Sequence, residues 1–94
     1  MEIAVFQRLM EQTYGKRNRG RGVPATVACL AEETGELARA ARKGSAVQQL
    51  HELGDVLAWL AALANQLGLS LEDAAARYRD GCPLCSLSPC DCPP

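Results

Sequence analysis

Between Leu53 and Leu67, apolar side chains cover more of a helix than one buried stripe requires. Leu53, Val56, Leu57, Trp59, Leu60, Leu63, Ala64 and Leu67 recur at helical spacing. A helix on the surface of a globular domain needs only one such stripe. A chain of 94 residues makes one domain with a small core. Part of this helix is therefore expected to bury against a second copy of the chain. Composition agrees with helix: 48% of residues are hydrophobic, mostly alanine and leucine, and only four are aromatic.

Four helices are expected. The first runs from about Glu2 to Tyr14, with Ile3, Phe6, Leu9, Met10 and Thr13 at helical spacing. Gly15 to Pro24 reads as a break, with three glycines and a proline. The second helix runs from about Thr26 to Lys43, with an inward stripe of Val27, Leu30, Thr34, Leu37 and Ala41 and a C-cap at Gly44. Ser45 opens the third helix, with Gln48 completing a capping box, and Gly68 ends it. Ser70 and Asp73 open a short fourth helix with the face Leu71, Ala74, Ala75 and Tyr78. The chain thus divides into a helical domain, 1–80, and a tail, 81–94, which holds four prolines and four cysteines and cannot be helical.

The net charge is −1 with balanced signs, so nothing global argues for a nucleic-acid partner. The N-terminus predicts no signal peptide. The longest apolar run, Val56 to Ala64, is far short of the roughly 20 residues that span a bilayer. These features, with cysteines crowded at one end rather than spread as in a disulfide scaffold, predict a soluble, cytoplasmic protein in a reducing compartment. The lone Cys29 is expected as a small buried hydrophobe.

Two acidic motifs carry the chemistry. Glu32-Glu33-Thr34-Gly35-Glu36 lies on the second helix and Glu52-Leu53-Gly54-Asp55 on the third. Within each, two carboxylates three residues apart project from nearly one side. On a helical wheel Glu33 and Glu36 edge the Leu30/Leu37/Ala41 stripe, while Glu32 points further toward solvent. The short Gly44-Ser45 connection favours an antiparallel hairpin, and Glu36 and Glu52 stand equally far from it. Four carboxylates brought together repel unless a cation lies between them. Oxygen ligands of this kind suit Mg2+ or Mn2+, which in turn suit phosphate substrates. The plainer alternative is two solvated helix faces that bind nothing. A di-iron bundle wants Glu-x-x-His motifs, and the single histidine, His51, makes none.

Leu30 to Ala38 followed by His51 to Leu57 resembles the MazG-type nucleoside triphosphate pyrophosphohydrolases, whose pattern is a Glu-x-x-Glu helix followed by a Glu-x-x-Asp helix. The likeness covers roughly residues 5 to 80. It implies an all-α, four-helix MazG-like bundle assembled as a homodimer or homotetramer. It implies Glu33, Glu36, Glu52 and Asp55 as Mg2+ ligands, with Glu32 or Glu33 orienting or deprotonating the attacking water. The implied reaction cleaves a nucleoside triphosphate between the α and β phosphates, giving the monophosphate and pyrophosphate, as nucleotide-pool housekeeping.

Lys16, Arg17, Arg19 and Arg21 put four cations in a six-residue glycine-containing segment. They either close on a triphosphate tail as arginine forks or belong to a solvated loop. Arg39, Arg42 and Lys43 complement the dipole at the end of the second helix; the resemblance adds phosphate contacts for Arg39 or Lys43. It also suggests a nucleotide contact for Asn65, a residue mildly unfavourable in mid-helix. Trp59 is a candidate for base stacking, against a role in a core or an interface.

Cys82, Cys85, Cys90 and Cys92 form a Cys-x2-Cys-x4-Cys-x-Cys pattern. Four thiolates at this spacing can close a tetrahedral structural Zn2+ site, although Cys-x-Cys is tighter than ordinary zinc fingers use. Disordered thiols and disulfides are the alternatives. Two other functions stand beside the Mg2+-dependent hydrolase: a non-enzymatic module in which zinc knuckle and basic segment contact nucleic acid or protein, and a helical oligomerisation adaptor with the third helix as its seam.

Overall fold

The computed structural model describes all 94 residues. Four helices follow one another without a strand: α1 (Ile3–Arg21), α2 (Val23–Lys43), α3 (Ala46–Leu67) and α4 (Leu71–Ala76). No helix is long and apolar enough to cross a membrane.

The α2–α3 hairpin is the frame. Its turn is pinned by the expected capping box: the Gln48 N–H donates to Ser45 Oγ (3.2 Å) and the Ser45 N–H to Gln48 Oε1 (2.8 Å). Gly44 is required by proximity rather than by conformation, since its φ of −89° is ordinary but an added Cβ would sit 2.8 Å from the Ala40 carbonyl. Gln49 Nε2 reaches back to that same carbonyl at 3.1 Å and fixes the register of the two helices. Gly68, at φ 68°, ends α3 in the left-handed cap expected there.

Helix α1 departs from the sequence reading. It does not stop at Tyr14 but continues through Gly15 and Gly20 to Arg21, so the basic segment is helix and not loop. A glycine inside a helix costs about 1 kcal/mol relative to alanine. Gly15 is buried, and a Cβ there would come within 2.5 Å of the Glu11 carboxylate, which would have to shift. One turn on, Gln66 Nε2 of α3 donates to the Asn18 carbonyl at 2.6 Å. Only Gly22, at φ 90°, breaks the chain, and Pro24 falls in the first turn of α2, where its missing N–H is harmless. Helix α4 is also shorter than expected: it ends at Ala76 and leaves Tyr78 in a turn, exposed.

Packing of α2 corrects a second expectation. The residues withdrawn from water are Thr26, Leu30, Glu33, Leu37 and Ala40, whereas Val27, Thr34 and Ala41 are exposed. The buried stripe therefore runs through Glu33 rather than beside it. On α3 the matching half-buried row is Gln49, Glu52, Val56, Trp59 and Leu63, which puts a second carboxylate in the seam. Cys29 is half-buried rather than enclosed.

The core of a single chain is slight. Ala61, Ala64 and Leu71 are buried together, with Phe6 and Met10 of α1 against them. Leu50, Leu53, Leu57 and Leu60, at steps of three and four along one face of α3, stay 73%, 54%, 41% and 39% exposed. The expected surplus of apolar surface on α3 is thus present in the folded chain.

Candidate metal centre and its flanking clefts

The hairpin brings both acidic motifs to one place. Glu33 and Asp55 stand equally far in sequence from Gly44, as do Glu36 and Glu52, so each pair falls at matched depth along the antiparallel helices. The electrostatics follow from that register. Burial pushes the Glu33 carboxyl above the ordinary carboxylate range, and the charges of Asp55 and Glu52, a hydrogen bond with Glu52 and the charge of Glu36 push it the same way. Glu52 Oε2 is buried and has no hydrogen-bond partner. Such an oxygen carries a large desolvation cost unless something binds it.

His51, Glu52 and Asp55 each bring a ligand atom within 4.8 Å of the others. His51 Nε2 lies 3.2 Å from Asp55 Oδ2, one turn along α3. Sequence reasoning placed His51 on the surface, where it is, but missed this contact. The i,i+4 spacing of His51 and Asp55 was the available signal. These three ligands all lie on α3, and Glu33 of α2 feels the charges of two of them, Glu52 and Asp55; carboxylate oxygens of this kind suit a hard divalent cation. Glu32 is exposed.

Two clefts flank the carboxylates. The first, about 250 Å3, opens between α1 and α3 and is lined by Tyr14, Arg17, Asn18, Arg21, Asp55 and Trp59, among others. The Arg21 guanidinium lies 5.8 Å from the centre of the Trp59 ring. The second, about 380 Å3, is lined by Glu36, Arg39, Lys43, Gln48 and Glu52 beside the turn of the hairpin. Asp55 faces one cleft, and Glu36 and Glu52 face the other.

The cations sort accordingly. Arg17, Arg21, Arg39 and Lys43 line clefts, and Trp59 joins them. Lys16 lines neither, and Arg19 is bonded to Glu11. Asn65 has partners within the chain. Its Oδ1 accepts from Gln7 Nε2 (2.9 Å) and its Nδ2 donates to the Gln7 carbonyl (3.1 Å). Gln7 also bonds the Leu69 carbonyl and the Leu71 N–H. Asn65 thus ties α1 to α3 and lines neither cleft. Asn18 was passed over in the sequence, yet it is buried and lines the first cleft. It was hidden by the assumption that its segment was a loop.

The tail carries a second cluster. All five cysteines are free thiols. The backbone N–H groups of Cys85 and Leu84 draw Cys82 down to about 6. The neighbouring thiols Cys90, Cys82 and Cys85 push Cys92 up to about 11.

Comparison with known proteins agrees with the fold and with the paired motifs. The profile of the MazG nucleotide pyrophosphohydrolase domain matches residues 21–80, from the junction before α2 through α4. The chain is also 33% identical over 97 aligned positions to the uncharacterized protein YvdC of Bacillus subtilis (strain 168), an alignment spanning 85% of this chain and 92% of that protein. A four-helix chain with both acidic motifs inside the matched segment belongs to the MazG nucleotide pyrophosphohydrolase domain family.

Proposed function

We propose that the chain is a Mg2+-dependent nucleoside triphosphate pyrophosphohydrolase that releases a nucleoside monophosphate and pyrophosphate, serving upkeep of the nucleotide pool. The observation that carries this reading is the Glu52 oxygen left buried and unbonded beside Glu33 and Asp55. Glu33, Glu36, Glu52 and Asp55 would hold the ion; Mn2+ fits the same oxygens. An ion held there would supply charge to neutralise phosphate oxygens and to acidify a water molecule.

The chain's own groups supply the rest. Arg39 and Lys43 in the second cleft pair with phosphate oxygens, and Arg17 and Arg21 do so from the first. Trp59 offers a ring face to a base in the first cleft. Glu33 is the candidate proton acceptor for the attacking water, because it stands among the other carboxylates and a carboxylate can take up the water's proton. Glu32 is left as an accessory charge at the rim.

A second copy completes the assembly in this reading. A chain with so small a core and with Leu50, Leu53, Leu57 and Leu60 in water gains by burying that face in a homodimer or homotetramer. Helices 1–80 form the catalytic unit and residues 81–94 an appended tail.

The test is incubation with a panel of nucleoside triphosphates and diphosphates, with Mg2+ or Mn2+, and identification of products. Pyrophosphate and monophosphate are expected, with turnover abolished in Glu36→Gln and Asp55→Asn while far-UV circular dichroism is unchanged. No product from any nucleotide with either ion would favour a non-enzymatic module that binds nucleic acid or protein.

A further inference from the structure

The tail holds a cluster that nucleotide hydrolysis does not use. Cys82, Cys85, Cys90 and Cys92 each offer a sulfur, and all four sulfurs lie within 4.8 Å of one another. Cys82 Sγ and Cys92 Sγ are 3.6 Å apart, and Cys85 Sγ and Cys90 Sγ 3.9 Å. A tetrahedron with Zn–S bonds of about 2.3 Å has sulfur–sulfur edges of about 3.8 Å. The two distances bracket that edge. They are far longer than a disulfide bond of about 2.05 Å.

The backbone is bent to serve the sulfurs. N–H groups of Leu84, Asp91 and Cys92 point at the sulfurs of Cys82, Cys85 and Cys90, each at 3.4 Å. Such bonds stabilise thiolate over thiol. The Cys82–Cys85 knuckle closes with the Ser86 N–H on the Cys82 carbonyl (2.7 Å) and the Cys82 N–H on the Leu87 carbonyl (2.9 Å). Gly81 enters it at φ 102°, where a Cβ would lie 2.8 Å from the Leu87 carbonyl. The loop has little apolar packing: its two large apolar side chains, Leu84 and Leu87, are 79% and 49% exposed. A knuckle without a core needs another source of order.

We propose that Cys82, Cys85, Cys90 and Cys92 bind one Zn2+ in a closed, four-thiolate structural site that folds the tail. Four protein ligands leave no open position, so the site is structural and separate from the oxygen centre between α2 and α3. Zinc is favoured over Mg2+ or Mn2+ because soft sulfur ligands select it.

The test uses the full chain, expressed without a polyhistidine tag and purified under reducing conditions. Elemental analysis is expected to find one zinc per chain. Replacement by Co2+ is expected to give the visible bands of tetrahedral cobalt with intense thiolate charge transfer. Cys85→Ser and Cys92→Ser should each lose the metal and the cobalt spectrum, with the far-UV helical signal kept. Three results would overturn the proposal: a chain that stays zinc-free after Zn2+ is offered and dialysed, iron in place of zinc, or full zinc retention in the Cys85→Ser, Cys92→Ser double variant. Pyrophosphate release is read separately, so loss of either site is seen without the other.

Discussion

The hairpin and the tail each gather side chains able to bind a metal, but they hold them differently. In the hairpin, oxygens project from two long helices whose spacing is fixed by capping and by Gln49, and one of them, Glu52 Oε2, is left buried and unbonded between two clefts. In the tail, sulfurs face one another on a tight loop and take backbone N–H bonds. A rigid frame can keep a group unsatisfied and ready for a ligand. In the tail the thiols close on one another, Cys82 on Cys92 and Cys85 on Cys90. The difference separates a centre suited to turnover from one suited to holding shape.

The sharpest break of this comparison is Glu52→Gln. Removing a buried charge aimed at the reacting centre is expected to lower turnover by about 10²–10³-fold, the loss typical of a preorganised electrostatic group. Unchanged kcat with a normal Mg2+ dependence would show that the orphaned oxygen is structural.

A smaller effect separates the centres by pH. The Glu33 carboxyl has a raised pKa when folded, so the stability it contributes is full below its ordinary value of 4.5 and is lost as pH rises through the folded pKa. Without divalent ions, melting temperature should therefore gain from acid in this window, and Glu33→Gln should flatten that slope. Mg2+ should raise the melting temperature at pH 7 and lose its effect toward pH 4.5. A Mg2+ increment equal at both pH values would contradict the carboxylate centre.

Asn65→Ala should be felt in stability and not in catalysis. Breaking the paired amide bonds to Gln7 in a half-buried setting is expected to cost about 1–3 kcal/mol in denaturant unfolding, with KM within about twofold of the parent. A large rise in KM at unchanged stability would return Asn65 to the substrate. The smallest change is Arg19→Ala, whose exposed pairing with Glu11 is worth under about 1 kcal/mol and whose KM should match the parent, unlike that of Arg21→Ala.

The amino-acid sequence alone determined what depends on neighbours a few positions apart. The capping box at Ser45 and Gln48, the left-handed stop at Gly68, the two carboxylate pairs and the sulfur spacing in the tail are all local, and each stands where spacing places it. Tertiary packing decided what depends on distant partners. Helix α1 runs on through Gly15 with Gln66 of α3 bonded to the Asn18 carbonyl, which places Arg17 and Arg21 at a cleft and Arg19 on Glu11. Periodicity chose the most apolar face of α2, but contact with α3 selected the neighbouring face and drew Glu33 into the seam. A carboxylate is costly there, so hydrophobic patterning points away from it, and only the packed hairpin reveals that the chain bears that cost.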